Sequence, residues 1–481
     1  MKRWICALVV MVALASCTAA PRSGTSVEAT ADTVPTTAKE GDGSTTTTSA
    51  VDPTAPTVPG APPPTIAGAA APAPGAPGAP GVAPPPADGF RSTLFSGAND
   101  TAGITDTTIT ICAHAALTYG AAFNTSAEDL NVYWTAVNEA GGVYGRRVEV
   151  FYENDDYKAD VARQAATRCK QNHNPFILLG GIGFDQIPAV REWAEQNKVL
   201  YMHHTATKNG SDDLQHSYTF LPTTERMGEV FGEVAVKRFG SGKFGILKRL
   251  SENWEPGVQG FKSVAGPAGL DIRLEREVPQ NKGSYVQDIV DMRNAGVDTV
   301  FLWLNALEAT QFITQAHGQN WRPQFLVFPF NLTTQTLGDA ALDPPLVGVS
   351  MHNAYSMGDY SGPFAAYADD MQQFEQQYAK YRPNADIGGV GGDLIFLNWS
   401  SQKAMHQLFL KCGRDCTRNR LVEVMHGMRD KPVSSGCGID FSRPGAGNSR
   451  RGGWTASVMV AYSAPSGKVN WKNTDTCVEH I

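Results

Sequence analysis

The sequence predicts an α/β protein of two Rossmann-like lobes with parallel sheets, preceded by a disordered tether. Three observations predict it. A helix ends in a glycine pair and turns into a strand between Asn138 and Asp156; an alternation of short strands and helices runs through once and then begins again; and about 380 residues of globular composition exceed what one core usually holds.

The stretch NEAGGVYGRRVEVFYENDD organises the first lobe. Gly141-Gly142 stops a helix, because glycine alone enters the left-handed conformation without steric cost. A strand follows at about Val148–Tyr152, with Val148, Val150 and Phe151 suited to a sheet covered on both faces. Around it the first lobe reads as strand Thr108–Ala113, helix Ser126–Ala140 with Leu130, Trp134 and Val137 at helical spacing, helix Lys158–Gln171, strand Phe176–Gly180, helix Gln186–Asn197, and strands Val199–Met202 and Tyr218–Leu221. The second lobe reads as helix Glu225–Phe239, strand Phe244–Lys248, helix Gly257–Ala265, strand Ile272–Val278, helix Tyr285–Ala295, strand Thr299–Trp303, helix Leu307–Gln315 and strand Gln324–Val327. Short connections between alternating elements imply parallel strands. Helices at Pro363–Tyr381 and Gly389–Leu410 are expected to return to the first lobe.

The chain starts Met-Lys-Arg, continues with an apolar run from Trp4 to Ala15, and reaches Leu14-Ala15-Ser16-Cys17. A basic start, a short apolar run and small residues before a cut describe a secretory signal, and the spacing resembles a bacterial lipobox with Cys17 as the lipidated residue. From Thr18 to about Asp100, Thr, Ala, Pro and Gly dominate and 15 of the 30 prolines occur, too few large apolar groups to offset ordering entropy. Pro53–Pro86 suits an extended spacer of roughly 100 Å. The net charge of -7 carries no basic block, which argues against nucleic acid as a partner. Beyond Cys6 and Cys17, six cysteines remain, an even number that in an exported protein reads as disulfides with 15 connectivities. The expected pairs are Cys412–Cys416, Cys437–Cys477 and Cys112–Cys169; Cys112 lies inside a strand, where a small buried apolar role competes.

Asn138, Gly141-Gly142, Gly145, Val148-Glu149 and Asp155-Asp156, together with Ile109–Thr118 (ITICAHAALT) and Val199–Thr207 (VLYMHHTAT), resemble the type I periplasmic binding proteins of the branched-chain amino acid (leucine/isoleucine/valine) ABC transporter family. The likeness extends from about Thr107 to Trp471. It implies three crossovers, near Thr223, His352–Ser356 and Val433–Gly438, and hence first-lobe segments at 104–222 and 353–436 and second-lobe segments at 223–352 and 437–481, after the signal at 1–16 and the lipid-anchored linker at 17–103. It also implies an extracytoplasmic monomer, tied to the membrane at Cys17, that binds a small molecule between its lobes and presents it to an ABC permease. A sensor passing closure to a membrane signalling partner is the alternative.

Ligand contacts are expected beyond the carboxyl ends of the strands. In the first lobe these are Thr118 and Tyr119, the glycine-rich loop at Gly183, Phe184 and Asp185, whose N–H groups open a helix, and Thr205, Ala206 and Thr207. In the second lobe the resemblance points to Trp254 as an aromatic cover and to Asn305, Phe330 and Asn331. Amino-acid receptors of the family commonly hold an acid near the last position; here stands Asn331, with Glu308 the nearest acid along the chain. A buried ammonium would lose a charge-assisted hydrogen bond there, about 1.5–3 kcal/mol, so amides and carboxylates become credible ligands. His203 and His204 end one strand, His114 lies near the end of another and His352 at a crossover, but His203 and His204 point to opposite faces of their strand and suit no common metal. Arg146-Arg147 and the acids Glu153, Asp155 and Asp156 read as exposed turns, and Trp303 and Trp321 as packing residues. No residue pattern asks for a cofactor, and no G-x-S-x-G, H-E-x-x-H or phosphate loop points to an enzyme.

Overall fold

The computed structural model describes residues 82–118, 126–181, 183–203, 215–220, 223–350, 368–389, 391–428 and 456–478, which lie in one compact unit beginning at Ala73. Cys17, Tyr119, Thr205, Ala206, Thr207, His204, His352, Cys437 and the second and third crossovers lie outside the described residues.

In chain order the first part contains α1 (Ala98–Thr101), β1 (Thr108–Ala115), α2 (Ala127–Leu130), α3 (Val132–Glu139), β2 (Arg147–Asn154), α4 (Ala159–His173), β3 (Ile177–Gly180), α5 (Gln186–Asn197), β4 (Tyr201–His203) and β5 (Ser217–Thr219). The five strands are parallel in the order β2-β1-β3-β4-β5. Then come α6 (Thr224–Phe239), β6 (Lys243–Arg249), α7 (Glu255–Ala265), β7 (Asp271–Val278), α8 (Val286–Asn294), β8 (Thr299–Trp303), α9 (Ala306–Gly318), β9 (Gln324–Val327), α10 (Asn331–Leu337) and β10 (Val347–Ser350). Helices α11 (Ala368–Tyr381), α12 (Gly392–Cys412) and α13 (Arg418–Gly427) precede β11 (Ala456–Ser463) and β12 (Val469–Val478). The second sheet runs β12-β11-β10-β9-β8-β6-β7; its strands are parallel except β11 and β12, which add an antiparallel edge that the sequence reading did not resolve. Both parallel sets share one winding, so each changes direction beside its first strand, between β1 and β3 and between β6 and β8. Such switch points open a crevice at the strands' carboxyl ends.

Local chemistry sets several element limits. Gly142 sits at φ 73°, and a Cβ there would meet the Arg146 carbonyl oxygen at 2.0 Å, so the turn into β2 admits only glycine. The helix expected over Ser126–Ala140 breaks at Asn131, because the Leu130 carbonyl accepts from Asn398 Nδ2 (2.6 Å), Gln402 Nε2 (2.7 Å) and the Tyr152 hydroxyl (3.1 Å). Those bonds, and Tyr133 edge-on to Trp399 at 5.4 Å, seat α12 on the first lobe. Helices α6 and α7 approach closely through glycines: a Cβ on Gly228 would reach the Gly257 carbonyl oxygen at 1.8 Å, and one on Gly260 the Glu225 carbonyl oxygen at 2.0 Å. Buried Arg418 fastens α13 to the entry of β3, donating to the carbonyls of Phe176 (2.8 Å) and Pro175 (2.6 Å).

Three expectations are corrected. The disordered linker expected as far as residue 103 ends earlier: Phe95 is buried in the core, and the Ser92 hydroxyl donates to Asn419 Oδ1 at 2.8 Å, because this stretch packs on α13. Arg146 is not a solvated residue: it is buried, with Nε donating to the Thr105 carbonyl at 2.6 Å and Nη1 to the Arg414 carbonyl at 2.8 Å, because the turn folds onto these two loops. Asp155 is not exposed either; its carboxylate is drawn inward by His114 and by the Tyr157 N–H. Trp303 is core, as expected.

Disulfides join Cys112 to Cys169 and Cys412 to Cys416. The first ties β1 to α4 across 57 residues, a loop whose closure removes unfolded-state entropy worth about 3–4 kcal/mol. Replacing both Cys112 and Cys169 by alanine is expected to lower stability in urea melts by about that amount. A double variant within 1 kcal/mol of the parent is the contrary result.

Candidate functional site

The two switch points face each other, and the first lobe reaches the second through the loop before α5. Gly183 carries φ 147° and its carbonyl accepts the Ile187 N–H at 3.2 Å, which turns Phe184 and Asp185 outward. The Phe184 ring enters the aromatic cluster of the second lobe, with centroids 4.6 Å from Trp254, 6.0 Å from Trp303 and 6.3 Å from Phe328. Asp185 follows it. One of its oxygens accepts from the Ser251 hydroxyl (2.8 Å) and Asn253 Nδ2 (3.2 Å), and the other lies 3.7 Å from Arg249 Nη2. Aromatic contacts of this kind contribute about 0.5–1.5 kcal/mol beyond their burial.

A second contact lies where α10 meets α12. Asn331 Nδ2 donates to the Gly389 carbonyl at 3.3 Å, and its backbone N–H to Asp393 Oδ2 at 3.3 Å. Tyr157, Ala306, Leu332 and Leu394 close over this spot, with Phe330 packed against them and its carbonyl accepting Trp471 Nε1 at 3.1 Å. Asp393 therefore brings an acid to Asn331 that a separation of 62 positions conceals in the sequence. Burial pushes its carboxyl up to about 7, against weaker hydrogen bonds from the backbone of Asn331, Asp393 and Leu394.

Trp254 is buried, its carbonyl accepts Trp303 Nε1 at 2.7 Å, and the Arg249 guanidinium lies 5.4 Å from its ring centroid. Asn305 caps α9: its Oδ1 accepts the Glu308 N–H at 2.9 Å, while Glu308 answers the Asn305 N–H at 3.4 Å. Glu308 thus belongs to α9, as expected. Thr118 is exposed at the first lobe's switch point, its hydroxyl accepting from Asn154 Nδ2 at 2.7 Å. Phe184, Asp185 and Trp254 therefore share one contact; Asn305 lies beside it, Phe330 and Asn331 form the second contact, and Thr118 stays with its own lobe.

Behind the loop, His114 is wholly buried between Asp155 Oδ2, 2.8 Å from Nδ1, and the Tyr201 hydroxyl, 2.7 Å from Nε2. Burial holds Tyr201 protonated, and the imidazole is fixed between this phenol and the carboxylate. A Cβ on Gly180 would strike this hydroxyl at 2.2 Å, so the chain floors the loop with glycine. His114 serves the scaffold. Among the described residues no group of His, Cys, Asp and Glu is arranged to hold a metal.

The sequence reading missed Arg249, Ser251, Asn253 and Asp393. Arg249 ends strand β6 and Ser251 and Asn253 follow it, so the rule that selected the other strand ends applies to them equally.

The profile of the family described as "Periplasmic binding protein" matches residues 118–455. The chain belongs to that family, in the type I, branched-chain amino acid branch. A "Leu/Ile/Val-binding protein homolog 8" from Brucella abortus (strain 2308) is 22% identical over 337 residues, covering 66% of this chain and 80% of its own. The fold is similar to a solute-binding protein of an ABC transporter from Rhodopseudomonas palustris BisB5 in complex with 3,4-dihydroxybenzoic acid (18% identity, 77% of this chain and 98% of that one, TM-score 0.62). It is similar also to the branched-chain amino acid transporter substrate-binding protein LivJ from Streptococcus pneumoniae in complex with isoleucine (14% identity, 76% and 100%, TM-score 0.59). The family is one of extracytoplasmic solute-binding proteins rather than enzymes.

A carboxyl whose pKa rises on folding binds protons in the native state that the unfolded chain releases, so its stability contribution falls as pH rises from about 4 to about 7. Asp393→Asn is therefore expected to be more stable than the parent at pH 8 by about 4 kcal/mol and to lose that advantage near pH 4. Urea melts at both pH values check this; parallel curves for the two proteins would oppose it.

Proposed function

We propose that this protein is the substrate-binding component of an ABC importer, held outside the cytoplasmic membrane by lipid on Cys17, and that it captures an amino acid-like, amide or carboxylate ligand in the cleft between its lobes. The observation that carries the reading is the meeting of two switch points: Phe184 and Asp185 from one lobe reach Ser251, Asn253 and Trp254 of the other. A cleft of this form excludes water and gains its ligand by closure, because a ligand favours whichever arrangement it binds better. The ligands named for the neighbours, a dihydroxybenzoate and isoleucine, bracket the chemistry expected here. The protein makes and breaks no covalent bond in this role.

On this reading residues 104–222 and 353–436 form one lobe, residues 223–352 and 437–481 the other, with crossovers at their borders. The pairing of Cys437 with Cys477 fits the second. Residues 17–81 serve as the tether, residues 82–103 pack on the first lobe, and the chain acts as a monomer. Tyr119, Thr205, Ala206 and Thr207 complete the first lobe's share of the contacts beside Thr118 and Gly183.

A thermal-shift screen of the purified protein against branched-chain amino acids, amides and aromatic carboxylates tests the reading. A ligand at about 100 times its Kd adds roughly 2.7 kcal/mol to folding stability. At least one compound is expected to raise the melting temperature; a screen without any shift opposes solute capture. Cys17→Ser is expected to move the protein from the membrane fraction to the medium, and retention in the membrane would count against the lipid anchor.

A further inference from the structure

We infer that the second lobe holds the ligand's acidic group, on Arg249 with Trp254, Asn305 and Tyr285 as supporting donors, so that the solute is a carboxylate. This rests on the solute-binding reading above and narrows it.

Arg249 ends β6, Tyr285 follows β7 and Asn305 follows β8, so three neighbouring strands deliver them to one edge of the sheet. All are nearly inaccessible: Arg249 and Trp254 are 3% exposed, Asn305 5% and Tyr285 0%. Each nevertheless keeps a buried polar atom without a hydrogen-bond partner among the described residues: Arg249 Nη1, Trp254 Nε1, Asn305 Nδ2 and the Tyr285 hydroxyl. The first three can only donate, and the fourth keeps its proton because burial raises its pKa. A buried set of donors without acceptors is costly, since each group has given up water for nothing in return. A ligand rich in acceptors removes that cost.

The protein's own acids do not. Glu308 has one oxygen on the Asn281 N–H at 3.1 Å and the other on the Asn305 N–H, so both are committed to backbone. Asp185 approaches Arg249 through Nη2 at 3.7 Å, beyond hydrogen-bond length, and leaves Nη1 aside. Asp185 does show how a carboxylate meets this face, with one oxygen on Ser251 and Asn253 and the other toward the guanidinium. The guanidinium is a planar fork matched to two carboxylate oxygens, and the Trp254 ring beside it keeps its plane in place.

Isothermal titration calorimetry on the purified protein compares acids with their isosteric amides, 4-hydroxybenzoate with 4-hydroxybenzamide and hexanoate with hexanamide, and includes leucine. An acid is expected to bind about 10- to 100-fold tighter than its amide, and Arg249→Gln to bring the acid down to the amide's affinity. Arg249→Lys is expected to fall between. The comparison of acid with amide on the parent protein needs no variant and stands even if a substitution at this buried site fails to fold. An amide equal to its acid, or Arg249→Gln within 2-fold of the parent for the acid, overturns the inference. Binding of an amide without any acid, leucine being counted among the acids, overturns it while leaving solute capture standing. Silence from every compound overturns both.

Discussion

The contact made by Phe184 and Asp185 is the constraint on which the rest depends. It is the place where two similarly wound sheets, each with its crevice beside its own first strand, are held face to face. A ring seated among Trp254, Trp303 and Phe328 supplies apolar contact, and the carboxylate behind it supplies direction through Ser251 and Asn253. The loop that carries both is set by Gly183 above and by the His114, Asp155 and Tyr201 chain beneath. One lobe thus gives a rigid finger, and the other a socket whose floor is its own hydrophobic core.

The strength of that contact matters as much as its place. One aromatic insertion and a few hydrogen bonds to a partly exposed carboxylate sum to a few kcal/mol, a range in which an equilibrium between open and closed arrangements responds to a ligand. A contact much stronger would hold the lobes together unaided. The second contact, at Asn331 and Asp393, works differently: burial of an acid with its pKa near 7 opposes ionisation there, so the two contacts differ in their dependence on pH.

Most of the fold was legible because it is local. Alternation of strands and helices, the Gly141-Gly142 stop and the apolar faces placed every parallel strand through Val327 with small errors at the ends. The β11–β12 edge was not, since antiparallel strands beside a region of mixed polarity leave no period that marks them. In the site, the loop at Gly183–Asp185 and Trp254 were legible from strand ends. What they do was not: Asp185 seemed a source of backbone donors, and its side chain is what reaches across. Arg249 was missed because the strand was read as ending at Lys248 and the residues just past it were not weighed as a strand end. Asp155 and Arg146 misled because charge suggests solvent, whereas a charge with a buried partner or ready carbonyls goes inward. Asp393 meets Asn331 only through the fold, and no spacing announces it.

The central claim is that the Phe184 and Asp185 contact sets the distance between the lobes. Spin labels at Gln196 on α5 and Gln259 on α7, both exposed, report that distance by pulsed electron resonance. The parent protein is expected to show a short component that the double substitution Phe184→Ala, Asp185→Ala depletes in favour of longer separations. Superimposable distance distributions for the two proteins would contradict the account.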